Sequence, residues 1–228
     1  EARFIEPHKI EVEGDAGEVH FITSDKFIIA VGTKPFRPDY VPFDGEYVLD
    51  SDEILELGEL PRSVAVIGAG VIGVEYASIF SALDVHVTLI EPRDTMLDFL
   101  DKELVADFTH QLRDRGIALR FGAKVQKIEK HGPAECEITL EGGRSVRSNV
   151  ILFAAGRMGA TPNLNLESCG LEVDHRGRLK VDPMTFQTDV PHIYAAGDVI
   201  GFPSLASTSM EQGRIAACQA LGEKAYDP

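Results

Sequence analysis

Apolar positions along the 228-residue chain fall into a period-two pattern in some stretches and a helical pattern in others, which predicts an alternation of strands and helices. Residues 1 to about 32 carry the short runs Arg3 to Ile5, Ile10 to Val12, Val19 to Ile22 and Phe27 to Val31. Broken at Pro7, Gly14 and Gly17, they read as strands joined in hairpins. A Gly/Pro-rich exit from Gly32 to Pro38 leads to an irregular connector over 42–50, and Ser51-Asp52-Glu53-Ile54-Leu55 offers a cap and a short helix before Pro61. The unbroken apolar run Val64 to Ile67 predicts a strand, the segment after Gly73 a helix, and Val85 to Glu91 a second strand. Lys102 to Arg115 sets Leu104, Val105, Phe108 and Leu112 at helical spacing, and Gly116 stops that helix. Ala118 to Phe121 is a third strand. Lys124 to Lys130, Glu135 to Leu140 and Arg144 to Arg147 then make an antiparallel meander with turns at Gly132-Pro133 and Gly142-Gly143, and Asn149 to Ala154 adds one further parallel strand. Beyond Thr161 the chain is loop-rich until a strand ending in Gly197-Asp198, which precedes a helix from about Ser204 to Leu221.

Composition narrows the class. At 44% hydrophobic residues the chain can bury one large core or two modest ones. A net charge of -15 argues against nucleic acid or an anionic membrane as partner. A dinucleotide carries only a few charges, so a local helix terminus can overcome that field. No stretch approaches the roughly 18 apolar residues of a membrane span, and the N-terminus has no basic-then-apolar leader; a soluble, cytoplasmic protein is the expectation. Three cysteines, Cys136, Cys169 and Cys218, lie far apart and suggest neither a disulfide framework nor a zinc site. Cys136 alternates with Ile138 and Leu140, so it reads as a buried, inert thiol, and His192 before an apolar strand reads as structural.

The chemistry concentrates between Val64 and Glu91, where strand, G-x-G-x-x-G turn, helix, strand and terminal carboxylate follow one another at dinucleotide-binding spacing. Gly68 permits the tight turn, Gly70 lets backbone approach a pyrophosphate, and Gly73 lets the helix lie close on the strand. The helix N-terminus offers free N–H groups and a partial positive charge to the phosphates. Glu91, about 18 residues after Gly73, stands where a carboxylate accepts hydrogen bonds from ribose hydroxyls. The bland alternative is a glycine-tightened turn of an α/β protein.

Four landmarks in order carry a wider resemblance: Phe27-Ile28-Ile29-Ala30-Val31-Gly32-Thr33-Lys34-Pro35, the Gly68 to Gly73 turn with Glu75, the strand ending Ala155-Gly156-Arg157, and Ile193-Tyr194-Ala195-Ala196-Gly197-Asp198. Together they resemble the pyridine nucleotide-disulfide oxidoreductase family, flavoproteins that pass hydride between a nicotinamide and FAD. The resemblance covers essentially the whole chain. It implies an α/β fold in which a Rossmann-like NAD(P)-binding domain, a parallel sheet plus β-meander, is inserted in a partial FAD-binding domain of the same type. The implied borders are 1–57 and 186–228 for the two FAD-domain pieces and 58–185 for the NAD(P) domain. The family's first FAD-binding βαβ unit and its C-terminal dimerisation domain have no counterpart here, so the chain reads as the middle of a longer, homo-oligomeric protein, inactive and a poor FAD binder when alone.

Finer similarities lie in Gly73-Val74-Glu75-Tyr76-Ala77-Ser78-Ile79-Phe80, Arg93-Asp94, Phe99-Leu100-Asp101, Gly156-Arg157-Met158-Gly159-Ala160-Thr161 and the run from Gly197 to Ser207. They look less like lipoamide dehydrogenase or glutathione reductase than like members that equilibrate NADPH and NAD with NADP and NADH through bound FAD. By that resemblance Gly68, Gly70, Val71, Ile72 and Gly73 hold the nicotinamide dinucleotide, Glu91 its adenosine ribose, Val125 the adenine side and Gly156 the nicotinamide half. Glu75 lies near the flavin, Asp198 bonds the ribityl chain, and the helix beginning near Ser204, with Leu205 and Ala206, aims its N-terminus at the flavin pyrimidine. Gly32, Arg157 and Gly197 join the same cofactor-binding set, and no side chain of this chain acts as a catalytic nucleophile.

Nucleotide choice turns on the residues after Glu91. A carboxylate alone favours NAD, because it repels a 2′-phosphate. Glutathione reductases place arginines where this chain has Pro92 and Asp98, neither of which can bond a phosphate. Arg93 can swing onto the phosphate of NADP while leaving Glu91 for the hydroxyls of NAD; otherwise it is a solvated loop arginine. Two rival readings share the coarse landmarks: a lipoamide dehydrogenase-like dithiol reductase, and a stand-alone module that binds NAD(H) without turnover.

Overall fold

The structure, a computed structural model, describes residues 1–132 and 135–223, so Pro133 of the expected meander turn lies outside them. In chain order the strands are β1 (Ala2–Glu6), β2 (Lys9–Glu13), β3 (Val19–Thr23), β4 (Phe27–Ile29), β5 (Thr33–Pro35), β6 (Val48–Asp50), β7 (Ser63–Ile67), β8 (His86–Glu91), β9 (Ala118–Phe121), β10 (Val125–Lys130), β11 (Cys136–Leu140), β12 (Ser145–Ser148), β13 (Val150–Phe153), β14 (Arg157–Gly159) and β15 (Ile193–Ala195). The α-helices are α1 (Val71–Ala82), α2 (Lys102–Asp114) and α3 (Ala206–Ala220).

The chain divides into two compact units. One comprises 35–156 and the other joins 1–34 to 157–228. Both borders fall earlier in the chain than the expected 57 and 185. The first moves because 42–50 is not merely a connector: Val48, Leu49 and Asp50 form β6, which pairs in parallel with Ile151, Leu152 and Phe153 of β13. The second moves because Leu166, Cys169, Leu171 and Leu179 share a core with Phe4, Ile29, Ile193 and Val199.

The unit 35–156 is built on a five-stranded parallel sheet in the order β6-β13-β7-β8-β9. Its central strands are apolar at successive positions because both faces are covered. Val64 and Val66 join one core with Val74, Ala77 and Phe80 of α1 and Val105 and Leu112 of α2. Ala65 and Ile67, on the opposite face, join a second core with Ile128, Cys136, Ile138 and Leu140 of the β10-β11-β12 meander. The meander thus covers the face that a second set of crossover helices would otherwise cover. Cys136 is fully buried, and that burial pushes its thiol pKa up, as expected of an inert thiol. Asp101 caps α2 by accepting from the N–H groups of Glu103 and Leu104. The expected short helix after Ser51 is a single 3-10 turn, Glu53–Glu56.

The unit joining 1–34 to 157–228 holds the antiparallel sheet β1-β2-β3, the parallel pair β4-β15, and α3. His192 is structural here: its ring stacks on His8 at 3.9 Å and its Nε2 lies 2.7 Å from the carbonyl of Pro7. No helix among the described residues is long and apolar enough to cross a membrane.

Candidate nucleotide-binding site

In the unit 35–156, Gly68, Ala69 and Gly70 follow the C-terminal end of β7 and lead directly into α1. Gly68 adopts a φ of +106°, which L side chains rarely take, and a Cβ there would stand 2.6 Å from the carbonyl oxygen of Ala154. A Cβ on Gly73 would overlap the carbonyl oxygen of Gly68 and stand 3.0 Å from its carbon. These two glycines serve the fold: one lets the turn pass the end of β13, the other lets α1 lie on the turn. Gly70 differs from both. Its φ is an ordinary -77°, and a Cβ added there would meet nothing within 4 Å. Nothing within the protein requires glycine at this position, and the backbone there is open to approach from outside.

Gly70 is the N-cap of α1 and provides no side-chain hydrogen bond to the first turn. The leading N–H groups, beginning at exposed Val71 and half-buried Ile72, are left for another acceptor. Glu75 is exposed one turn further along the same helix.

Glu91, at the end of β8, is only 2% exposed. Its Oε2 accepts from the Ala69 N–H at 2.7 Å, and its Oε1 accepts from the Arg93 N–H at 3.1 Å and from Arg93 Nε at 2.8 Å. Arg93 Nη2 completes a fork on Oε2 at 3.2 Å. Burial pushes the Glu91 carboxyl pKa up, but the guanidinium and the two backbone donors outweigh it and hold the group below the usual carboxylate value. The same pairing, with Asp98 adding to it, raises the pKa of Arg93. The Arg93 side chain therefore lies on Glu91 rather than apart from it, and its Nη1 reaches Asp98 Oδ2 at 2.7 Å.

Two residues complete this corner: Ala69, which the sequence pattern does not single out, and Asp98, which it marks only as unable to bond a phosphate. Ala69 links the glycine turn to β8 through its N–H, and its carbonyl accepts from the Leu97 N–H at 3.1 Å, which fastens the loop after Glu91 to the turn. Asp98 becomes part of the site only through the loop's path; its spacing from Arg93 follows no periodicity that would reveal the pair. Val125 opens β10 half-buried, and Gly156, with a φ of +130°, follows β13.

The remaining predicted residues belong to the other unit. Gly32 takes a φ of +68° and accepts from the Ala160 N–H, while Arg157 forks onto Thr33, with Nε to Oγ1 at 2.8 Å and Nη2 to the carbonyl at 2.9 Å. Gly197 has a φ of +82° and donates its N–H to Oε1 of buried Gln212; Asp198 opens the short turn that follows. Leu205 caps α3 without a side-chain hydrogen bond, so Ala206 and its neighbours also present a bare helix N-terminus.

A parallel sheet with a glycine turn at the head of α1 and a carboxylate at the end of the next strand defines a dinucleotide-binding α/β protein. Residues 2–213 match the pyridine nucleotide-disulphide oxidoreductase family, and the chain belongs to it. It is 53% identical over 97% of its length to a soluble pyridine nucleotide transhydrogenase of Mycobacterium tuberculosis, of which it covers 47%. To the soluble pyridine nucleotide transhydrogenase of Salmonella paratyphi B it is 46% identical over 96% of its length, again covering 47%. The chain spans about half the length of the curated relatives it matches. The crystal structure of LpdA from Mycobacterium tuberculosis superposes with a TM-score of 0.91 at 29% identity, over 100% of this chain and 50% of that one.

Proposed function

We propose that this chain supplies the pyridine-nucleotide site of a flavin-dependent transhydrogenase that moves hydride between NADPH and NAD. The observation that carries the reading is Gly70, a helix-capping glycine that no contact within the protein requires, beside a buried carboxylate at the end of the next strand. The identity to soluble pyridine nucleotide transhydrogenases supports the two nicotinamide dinucleotides as the substrates.

The residues do this work by binding and orienting. The open backbone at Gly70 and the first N–H groups of α1 hold the pyrophosphate, because uncommitted donors and a partial positive charge at a helix N-terminus together favour an anion. Glu91 and Arg93 meet the adenosine ribose, and Val125 lies on the adenine side. In the other unit, Gly32, Gly197, Asp198 and the bare N-terminus of α3 suit FAD, since positive φ at both glycines lets backbone approach a ligand and the helix end offers uncommitted donors. FAD, when bound, supplies the hydride acceptor and donor.

The test uses the flavin-loaded full-length protein. NADPH should bleach the flavin absorbance without added dithiol, and an oxidised NAD analogue should restore it. A flavin that NADPH reduces but only a disulfide substrate reoxidises would refute transhydrogenation and favour a dithiol reductase.

A further inference from the structure

Arg93 is held between two carboxylates, and only one belongs to the dinucleotide fingerprint. A carboxylate offers about four acceptor positions. Those of Glu91 are met by the N–H groups of Ala69 and Arg93 and by Nε and Nη2 of the Arg93 guanidinium. A ribose hydroxyl can therefore reach Glu91 only by displacing donors. The two backbone donors are anchored: Ala69 lies in the glycine turn, and the main chain of Arg93 is also held at its carbonyl by the Gly122 N–H at 2.9 Å. The guanidinium is the donor free to leave, because the Arg93 side chain is 46% exposed.

Where it goes is set by Asp98, whose Oδ2 already holds Nη1 at 2.7 Å from an exposed position on the loop before α2. We propose that Asp98 is the residue that sets the balance between the two nucleotides, by acting as the alternative seat for the Arg93 guanidinium. When the nucleotide carries a 2′-hydroxyl, the guanidinium withdraws to Asp98 and the hydroxyl donates to Glu91. When it carries a 2′-phosphate, the guanidinium must leave both carboxylates and fork onto the phosphate. Asp98 thus assists the first nucleotide and competes with the second. It is a positioning residue, acting through Arg93 without touching the ligand. The inference rests on the reading of the glycine turn as a dinucleotide site.

The test measures binding by calorimetry in the flavin-loaded full-length protein, using ADP-ribose and its 2′-phosphate, which cannot transfer hydride. Asp98→Asn should raise the preference for the phosphorylated ligand about twofold to fivefold, the upper range of an exposed pair lost on one side of the comparison. Asp98→Glu, which keeps a seat, should stay within about twofold of the parent. In an Arg93→Ala background the effect of Asp98→Asn should nearly vanish. An unchanged preference in Asp98→Asn would overturn the proposal, and so would an equal rise with and without Arg93, which would make Asp98 a bare repelling charge. Failure of the parent protein to bind either ligand would refute the nucleotide-site reading itself.

Discussion

Gly70 and Gly73 occupy the same fingerprint, yet the structure separates their roles sharply enough to predict opposite outcomes for one substitution. In Gly73→Ala, the better helix propensity of alanine contributes about 1 kcal/mol. Against it, the new methyl overlaps the Gly68 carbonyl oxygen and stands 3.4 Å from Val66 Cγ1. The obstructing atom is backbone and cannot rotate away, so α1 must lift from the turn. Overpacking costs about 1–3 kcal/mol, and a clash with immovable backbone lies at the upper end, about 3 kcal/mol; a net loss of about 2 kcal/mol follows. In Gly70→Ala nothing in the protein is touched. Alanine is a poorer cap by up to about 1 kcal/mol, and restricting the unfolded chain returns about 0.4–1 kcal/mol, so stability should stay within about 0.5 kcal/mol. In the proposed site the methyl would instead stand where the pyrophosphate approaches, and ADP-ribose affinity should fall about tenfold or more. Urea unfolding and calorimetry on both variants provide the assay. A Gly73→Ala protein as stable as the parent would refute the steric argument, and a Gly70→Ala protein that binds ADP-ribose undiminished would refute the phosphate assignment.

Asp44 has a pKa lowered to about 2: burial opposes the shift, but the N–H groups of Val48, Tyr47 and Glu46 and the Lys130 ammonium outweigh it. Because the folded value lies below the unfolded one, the stabilisation is complete above about pH 4 and disappears as the pH falls towards 2; it is worth about 2 kcal/mol, and Asp44→Asn should flatten that part of an acid-unfolding profile. Glu91→Gln sets an amide donor against the N–H of Ala69 or the Arg93 guanidinium, and a loss of about 1–3 kcal/mol in urea unfolding is expected; an unchanged midpoint would show that these bonds carry no net stability.

The strand-helix-strand core around the glycine turn was legible because two strong local signals coincide there: unbroken apolar runs for strands buried on both faces, and glycines at positions where a side chain collides. The meander and Cys136 were legible from period-two alternation. Strand β6 was not. Three residues, Val48 to Asp50, have no period to display, and their strand character comes from pairing with Ile151 to Phe153, about a hundred residues away in sequence. The unit borders were obscured for the same reason, since the 162–181 segment reads as loop and joins its unit through a few apolar side chains in a shared core. At the site, Glu91 was visible as a terminal carboxylate, but its saturation by internal donors was not, because that depends on where the loop from Pro92 to Asp98 turns back.

That saturation bears on how the site works. A carboxylate buried as deeply as Glu91 cannot remain charged without partners, since removing one partner from a buried pair costs about 3–5 kcal/mol. The chain supplies those partners itself, through Ala69 and Arg93. In the proposed site, binding a ribose at Glu91 would be an exchange of donors, and the net gain the difference between two hydrogen-bonded states, much smaller than that of filling an empty acceptor. The transhydrogenation proposed above, which takes up one dinucleotide and releases the other in every turnover, would benefit from such an exchange. Affinity would then stay moderate for both proposed ligands, while the turn keeps its order from within the chain, because the Ala69 peptide is held by Glu91 on one side and by Leu97 on the other.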